Sequence, residues 1–184
     1  MINRLCRSIF STAVKENKIL TAIAPEGIFF MPELAFVYEC GKQIMLQKEA
    51  IFGDVPVEWQ REEDLGNGGP TDLIFKFDDG YRIIIEFKLR SDSGAYKSDI
   101  KKLDLIKDPN TIRLFCALID IFDKEQPKDA RKSEVYKMNS EGFVVNEILF
   151  EKFPTIQNRY TSPVNCAVAI WPVGDVPKIP SVME

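Results

Sequence analysis

Two carboxylates and a lysine lie close together in this chain, and their types and spacing predict a divalent-metal site. Asp72 precedes one strand-like run, Glu86 and Lys88 end the next, and Asp78-Asp79-Gly80 between the runs is turn chemistry. Carboxylate oxygens are ligands that suit Mg²⁺ or Mn²⁺, and a neighbouring lysine can offset negative charge that develops on phosphorus oxygens. The trio therefore predicts metal-assisted cutting of phosphodiester bonds.

The register of the two runs decides whether the acids meet. A two-residue turn at Asp79-Gly80 would set Asp72 opposite Phe87 and would send Asp72 and Glu86 to opposite faces. A three-residue loop, with Gly80 as the left-handed residue of a bulge, sets Asp72 opposite Glu86. Burial favours the second register, because one face is then entirely apolar: Leu73, Phe75, Phe77, Tyr81, Ile83, Ile85, Phe87 and Leu89. Two facing carboxylates repel each other unless a cation lies between them.

These residues resemble the signature of the PD-(D/E)xK nuclease superfamily. The signature joins a Pro-Asp at the start of one strand to an acidic-x-Lys on the next strand. The chain has Pro70-Thr71-Asp72, with one inserted residue, followed by Glu86-Phe87-Lys88. The superfamily also has a glutamate on the helix before the sheet, and Glu33 in the segment 32–36 stands at that place. The matches span residues 32–119, and their order along the chain gives the short motifs their weight.

The resemblance implies a role for each matched residue. Asp72 and Glu86 would hold one or two Mg²⁺ (or Mn²⁺) ions, with the main-chain carbonyl of Phe87 as a further ligand. Glu33 would reach the metal directly or through water. Lys88 would orient or deprotonate the attacking water and offset charge on the phosphate.

The resemblance also implies the fold and the substrate. The expected fold is α/β and restriction-endonuclease-like, with a mixed central β-sheet flanked by helices, and residues 1–184 form a single nuclease-like domain. The expected activity is that of a Mg²⁺-dependent endonuclease, a hydrolase with DNA as its partner. A homodimer is consistent with this activity, because a small one-site nuclease cuts both strands of a duplex most simply as a symmetric pair.

Composition restricts the chemistry that is available. The 184 residues include no histidine, which excludes Ser-His-Asp and Cys-His catalysis and His-ligated zinc or haem. The four cysteines form no Cys-x-x-Cys pair, so they predict buried, reduced thiols in a cytoplasmic protein. A net charge of −4 does not indicate nucleic acid, but metal-binding acids lower the formal charge and local basic patches matter more than the sum.

The rest of the chain predicts the elements that must position the site. No apolar run is long enough to span a bilayer, and the first residues lack the apolar core of a signal peptide. Helical spacing occurs at residues 3–15, 32–47 and 96–106, and a strand is expected at 55–60. Continuous apolar runs at 114–119 and 166–171 are typical of strands covered on both faces. A polar excursion is expected at 120–132, a further helix within 142–153, and a tail without clear structure from Pro172.

Other interpretations of the same residues remain open. Lys88 could form a purely structural ion pair with Asp72 or Glu86, and Glu33 could be an ordinary acid of a first helical turn, where the helix dipole favours it. The lysines at 97, 101, 102 and 107 could touch phosphates, although such a run is usually a solvated face.

Two other classes of protein compete with a nuclease. The first is a non-catalytic nucleic-acid-binding or assembly protein on the same fold. The second, a small α/β hydrolase of another sort, has no nucleophile motif to support it.

Overall fold

The computed structural model describes residues 1–122, 130–143 and 146–175 as a six-stranded mixed β-sheet flanked by helices. The helices are α1 (Ile2–Ile23), α2 (Glu33–Leu46), α3 (Lys48–Phe52), α4 (Ser93–Asp104) and α5 (Ala130–Ser140), with a 3₁₀ turn at Gly27–Phe30. The strands are β1 (Val57–Gln60), β2 (Glu63–Asp64), β3 (Pro70–Thr71), β4 (Leu73–Phe77), β5 (Arg82–Leu89), β6 (Thr111–Phe122), β7 (Leu149–Thr155) and β8 (Val164–Pro172).

The sheet has the strand order β1-β4-β5-β6-β8-β7, and β2 pairs with β3 in a separate short ribbon. β5 and β6 run parallel, whereas the other neighbouring strands are antiparallel. A parallel pair needs a crossover connection, and α4 provides it. The sheet is therefore mixed, as the sequence predicts.

Helices cover both faces of the sheet. One buried cluster joins α1, α2 and α3 to the apolar face of the β4–β5 hairpin, including Phe75, Ile83 and Phe87. A second cluster joins α4 and α5 to the opposite face, where Ile74 and Ile84 are fully buried. The polar residues at the end of that second face must therefore share space with α4.

The β4–β5 hairpin has the predicted register. Leu73 pairs with Ile85, and at the other end of the hairpin the main-chain N–H of Phe77 donates to the carbonyl of Tyr81 at 2.9 Å. Three residues form the loop, and Gly80 has a φ of 82°, as the bulge requires. The eight residues predicted for the apolar face all belong to or pack against the first core cluster.

Several boundary predictions are wrong. α1 continues to Ile23, beyond the predicted end at residue 15. The polar excursion expected at 120–132 is wrong at both ends, because residues 120–122 belong to β6 and residues 130–132 belong to α5. Residues 123–129 lie outside the described part of the chain. The predicted helix within 142–153 is contradicted by β7, which pairs antiparallel with β8 and buries Leu149 and Phe153. Residues 144–145 of that interval are outside the described part. Pro172 ends β8, and most of the predicted tail, 176–184, also lies outside it.

Two predictions from composition can be compared with the structure. All four cysteines are free and buried. Across the described residues, no helix has both the length and the apolar character needed to cross a membrane.

Candidate functional site

The site begins where β4 and β5 separate. Thr71, just before Asp72, pairs with Glu63 of β2 rather than with β5. The main-chain N–H of Phe87 therefore lies beyond the last β4–β5 pair, and the Asp72 carboxylate accepts its hydrogen bond at 2.7 Å. Satisfying this amide fixes the Asp72 side chain at the opening between the strands.

Glu33 binds the same edge of β5 two residues further on. It is the first residue of α2, after Pro32, and its Oε2 accepts a hydrogen bond from the main-chain N–H of Leu89 at 2.9 Å. Amides of alternate residues on a strand point to the same side, roughly 6.6 Å apart. Asp72 and Glu33 therefore occupy successive positions along one unpaired edge.

Glu86 is the most deeply buried acid of the site, with 2% of its side chain exposed. The register of the hairpin, continued by one residue beyond Leu73–Ile85, sets Glu86 opposite Asp72. Burial, followed by the charge of Asp72, raises the pKa of Glu86 to about 8, although Lys102 offsets part of the rise. Burial also raises the pKa of Asp72, against the effect of the Phe87 hydrogen bond. The negative charge of Asp72 thus disfavours the ionised form of Glu86.

Lys88 lies between two carboxylates. Its Nζ is 3.1 Å from Oε1 of Glu33 and 3.0 Å from Oδ2 of Asp99. Burial lowers the pKa of Lys88, but the charges and hydrogen bonds of Asp99 and Glu33 outweigh burial and raise the pKa overall. The two acids therefore favour the ammonium form of Lys88 in the metal-free protein, and this form donates hydrogen bonds.

The crossover helix α4 supplies two charged residues that the sequence interpretation did not assign to the site. Asp99 contacts Lys88, and the Nζ of Lys102 is 2.7 Å from Oε1 of Glu86. They are three residues apart, which places them on the same side of the helix. Tyr96, Ile100 and Leu103 are fully buried, so this stripe sets which side of α4 faces the sheet. The sequence signal that could have identified Asp99 and Lys102 is their position next to this apolar stripe.

The other lysines that were considered as phosphate contacts have different surroundings. Lys97 is 3.7 Å from Glu134, and Lys107 is 2.7 Å from Asp104. Lys101 is exposed on α4.

We call Glu33, Asp72, Glu86, Lys88, Asp99 and Lys102 the carboxylate–lysine cluster. Four carboxylates face two ammonium groups, so two negative charges remain uncompensated when all six groups are ionised. One divalent cation would bring the net charge of this cluster to zero.

The donor set of Asp72 and Glu86 fits Mg²⁺ or Mn²⁺. Within the described ranges, no three Asp, Glu or Cys side chains converge as a ready-made metal cage. Mg²⁺ seldom needs such a cage, since it commonly binds one or two carboxylates and keeps several waters. The N–H and C=O of one strand residue point to the same side, so Phe87 directs its carbonyl toward the edge where its N–H meets Asp72. An oxygen-only site of this kind suits a hard cation.

The structure brings the predicted residues together, with one change of partner. The suggested ion pair of Lys88 with Asp72 or Glu86 is wrong, because Lys88 pairs with Glu33 and Asp99. Glu33 already accepts from Lys88 and from the Leu89 amide, so its contact with a metal stays a prediction.

Comparisons with protein-family models, with curated proteins and with solved structures give no match to this chain.

Proposed function

We propose that this protein is a metal-dependent nuclease that hydrolyses phosphodiester bonds in DNA, built on a restriction-endonuclease-like fold. The observation that carries the proposal is the carboxylate–lysine cluster, in which four carboxylates, including the neighbouring acids Asp72 and Glu86, face only two ammonium groups. Few structural roles explain two acids placed opposite each other at a buried strand end.

Asp72, Glu86 and the carbonyl of Phe87 would hold Mg²⁺ or Mn²⁺. A bound ion of this type would supply an acidified water and would neutralise charge on the phosphate. The protein contributes by burying the acids. Only 2% of the Glu86 side chain is exposed, and a buried carboxylate is stabilised by a nearby cation.

Lys88 would act as an electrostatic donor to the phosphate. Its two anionic partners hold the ammonium in one position, which reduces the reorganisation needed when charge develops on the phosphate oxygens. Because Lys88 is an ammonium, it would orient the attacking water or stabilise charge, and it would not deprotonate that water. Asp99 and Glu33 would be positioning residues for Lys88.

The cellular setting and the assembly belong to the same proposal. Four free, buried thiols are consistent with a reducing compartment such as the cytoplasm. A single cluster in each chain would cut both strands of a duplex most simply in a homodimer.

A cleavage assay tests the proposal. Supercoiled plasmid and single-stranded DNA are incubated with the protein in Mg²⁺, in Mn²⁺ and in EDTA. We expect cleavage in either metal, none in EDTA, and a loss of at least about a hundredfold in Lys88→Met, because electrostatic donors of this kind contribute on that scale. Lys101→Met, which removes an exposed lysine of α4, is the matched control. Cleavage that survives in EDTA or in Lys88→Met contradicts the proposal.

The second candidate is a non-catalytic nucleic-acid-binding or assembly protein. It is favoured by the ion pairs that Lys88 and Lys102 already make with three of the four carboxylates. Under this candidate the cluster is a structural network, DNA is bound or ignored without cleavage, and Mn²⁺ has no effect on stability.

A further inference from the structure

Lys102 has no part in the chemistry proposed above, yet it contacts the most buried acid of the cluster. Its Nζ is 2.7 Å from Oε1 of Glu86 and also donates to the main-chain carbonyl of Pro70. Only 16% of the Lys102 side chain is exposed. The Lys102 ammonium is therefore in direct contact with Glu86, one of the two carboxylates proposed to bind the metal.

The position of Lys102 is fixed from two sides. Its main-chain carbonyl accepts a hydrogen bond at 3.2 Å from the side-chain amide of Asn67, which is 4% exposed. Its ammonium contacts Pro70 at the other end of the same loop. That loop leads directly into Asp72. The loop that contacts Lys102 therefore also positions the Asp72 carboxylate.

A metal and this ammonium would compete for one place. Two cations held a few ångströms apart repel strongly in a partly buried site, where screening by water is reduced. A divalent ion bound to the Glu86 carboxylate would lie within a few ångströms of the Lys102 ammonium, so the repulsion between the two cations favours movement of the ammonium away from Glu86. The neighbouring Lys88 does not share this conflict, because its partners are Glu33 and Asp99.

We propose that Lys102 is an internal counter-ion that occupies Glu86 in the metal-free protein and must leave it when a divalent cation binds. Lys102 thereby weakens metal affinity while it stabilises the metal-free fold. The inference rests on the proposed metal site at Asp72 and Glu86.

Calorimetric titration with Mn²⁺ tests this competition without any cleavage assay. We expect Lys102→Met to bind Mn²⁺ roughly tenfold more tightly than the unmodified protein or better, since one unit charge at close range is worth at least a factor of that size. Lys102→Arg keeps the charge and should stay within about threefold of the unmodified protein. Lys101→Met, on the exposed side of α4, should leave the affinity unchanged. A Lys102→Met protein that binds Mn²⁺ no more tightly overturns the inference.

A second measurement uses the unmodified protein, in case Lys102→Met does not fold. Lysine acylation with and without saturating Mn²⁺ is quantified by mass spectrometry. Lys102 should become severalfold more reactive when the metal displaces it, whereas Lys101 should not change. Unchanged reactivity of Lys102 at metal saturation contradicts the inference.

The outcomes separate this inference from the proposed function. If the unmodified protein binds Mn²⁺ and Lys102→Met is no tighter, the inference fails and the metal site stands. If Mn²⁺ binds only to Lys102→Met, the competition is supported, but the metal-dependent activity proposed for the unmodified protein fails. If neither protein binds Mn²⁺, both the metal site and the inference fail.

Discussion

At the scale of single residues, the site is defined by charges that are held in place by main-chain amides. Asp72 accepts from Phe87, and Glu33 accepts from Leu89, so each acid completes the hydrogen bonding of a strand edge that has lost its neighbour. The same contacts place the acids where a cation or a lysine can reach them. Structure and proposed chemistry therefore depend on the same side chains.

The repulsion between Asp72 and Glu86 gives a prediction for Asp72→Asn. The amide oxygen can still accept from Phe87, while the charge that opposes Glu86 is removed. We expect the metal-free variant to be as stable as the unmodified protein or more stable by up to about 1 kcal/mol, and to have no cleavage activity. Urea unfolding in EDTA and a plasmid assay in Mn²⁺ measure the two quantities. A clear loss of stability would instead indicate that Asp72 belongs to a structural ion pair.

The raised pKa of Glu86 predicts how metal-free stability depends on pH. Its folded-state pKa of about 8 exceeds the ordinary value of 4.5, so the native protein binds the proton more strongly than the unfolded chain between these values. Stability is then highest near the lower end of this window and falls as pH rises toward 8, by a few kcal/mol at most. Urea unfolding in EDTA at pH 5.5 and pH 8 measures the change, and Glu86→Gln should remove most of it. Equal stability of the unmodified protein at both pH values contradicts the assigned environment of Glu86.

Asp99 gives a third prediction at this scale. Asp99→Asn removes one of the two anionic partners of Lys88 and keeps both proposed metal ligands, although the small effect of the Asp99 charge on Glu86 is also lost. We expect kcat to fall roughly tenfold or more, because hydrogen bonds to charged groups are worth about 1.5–3 kcal/mol, while Mn²⁺ affinity stays within about threefold. A variant with unchanged kcat would remove Asp99 from the positioning of Lys88. A variant with weaker Mn²⁺ binding would place Asp99 at the metal instead.

At the scale of elements, the approach of α2 to the sheet determines where Glu33 lies. Gly41 is buried in α2, and a Cβ added there would overlap the ring of Trp59 on β1. The absence of a side chain therefore allows the helix to pack closely. Glu33 begins the same helix and reaches the amide of Leu89 from it.

Gly41→Ala tests this packing. Overpacking of this kind costs about 1–3 kcal/mol, which corresponds to a Tm lower by roughly 2–12 °C in a chain of this size. Gln43→Ala, a change of a partly exposed residue in the same helix, should shift Tm by less than about 2 °C. Thermal unfolding of both variants measures the difference. An unchanged Tm for Gly41→Ala would show that α2 can move away from β1 at little cost.

The elements that could be predicted from the sequence are those specified by local pattern. The entirely apolar face that runs from Leu73 to Leu89 and the glycine at position 80 select one hairpin register, and that register places Asp72 on the side of Glu86. Glu33 was assigned to the site through the resemblance, which implies a glutamate on the helix before the sheet, and the helical pattern placed it at the start of that helix.

The elements that could not be predicted depend on distant contacts. β7 is a strand because it pairs with β8, and its own sequence, which includes Pro154, has no clear period. Asp99 and Lys102 enter the site because α4 packs its buried stripe on the sheet, and Tyr96 meets Phe115 there at 5.1 Å between ring centroids. The rotation of a helix about its axis is set by such packing and cannot be inferred from a run of charges.

At the scale of the whole molecule, the parallel pair β5–β6 and its crossover helix create the site. The hairpin brings two acids and a lysine to one strand end, and α4 returns across the same face with a further acid and a further lysine. Neither element alone contains the carboxylate–lysine cluster. These two elements supply five of the six cluster residues, and α2 supplies the sixth, Glu33.

The most direct test of this account is the effect of Mn²⁺ on thermal unfolding of the unmodified protein and of Asp72→Asn. A ligand present at a hundred times its Kd stabilises the native state by about 2.7 kcal/mol, so the Tm of the unmodified protein should rise by roughly 5–10 °C. Asp72→Asn should show little or no rise, because the site has lost a ligand charge. An unmodified protein whose Tm does not respond to Mn²⁺ would contradict the metal site and the nuclease activity proposed from it.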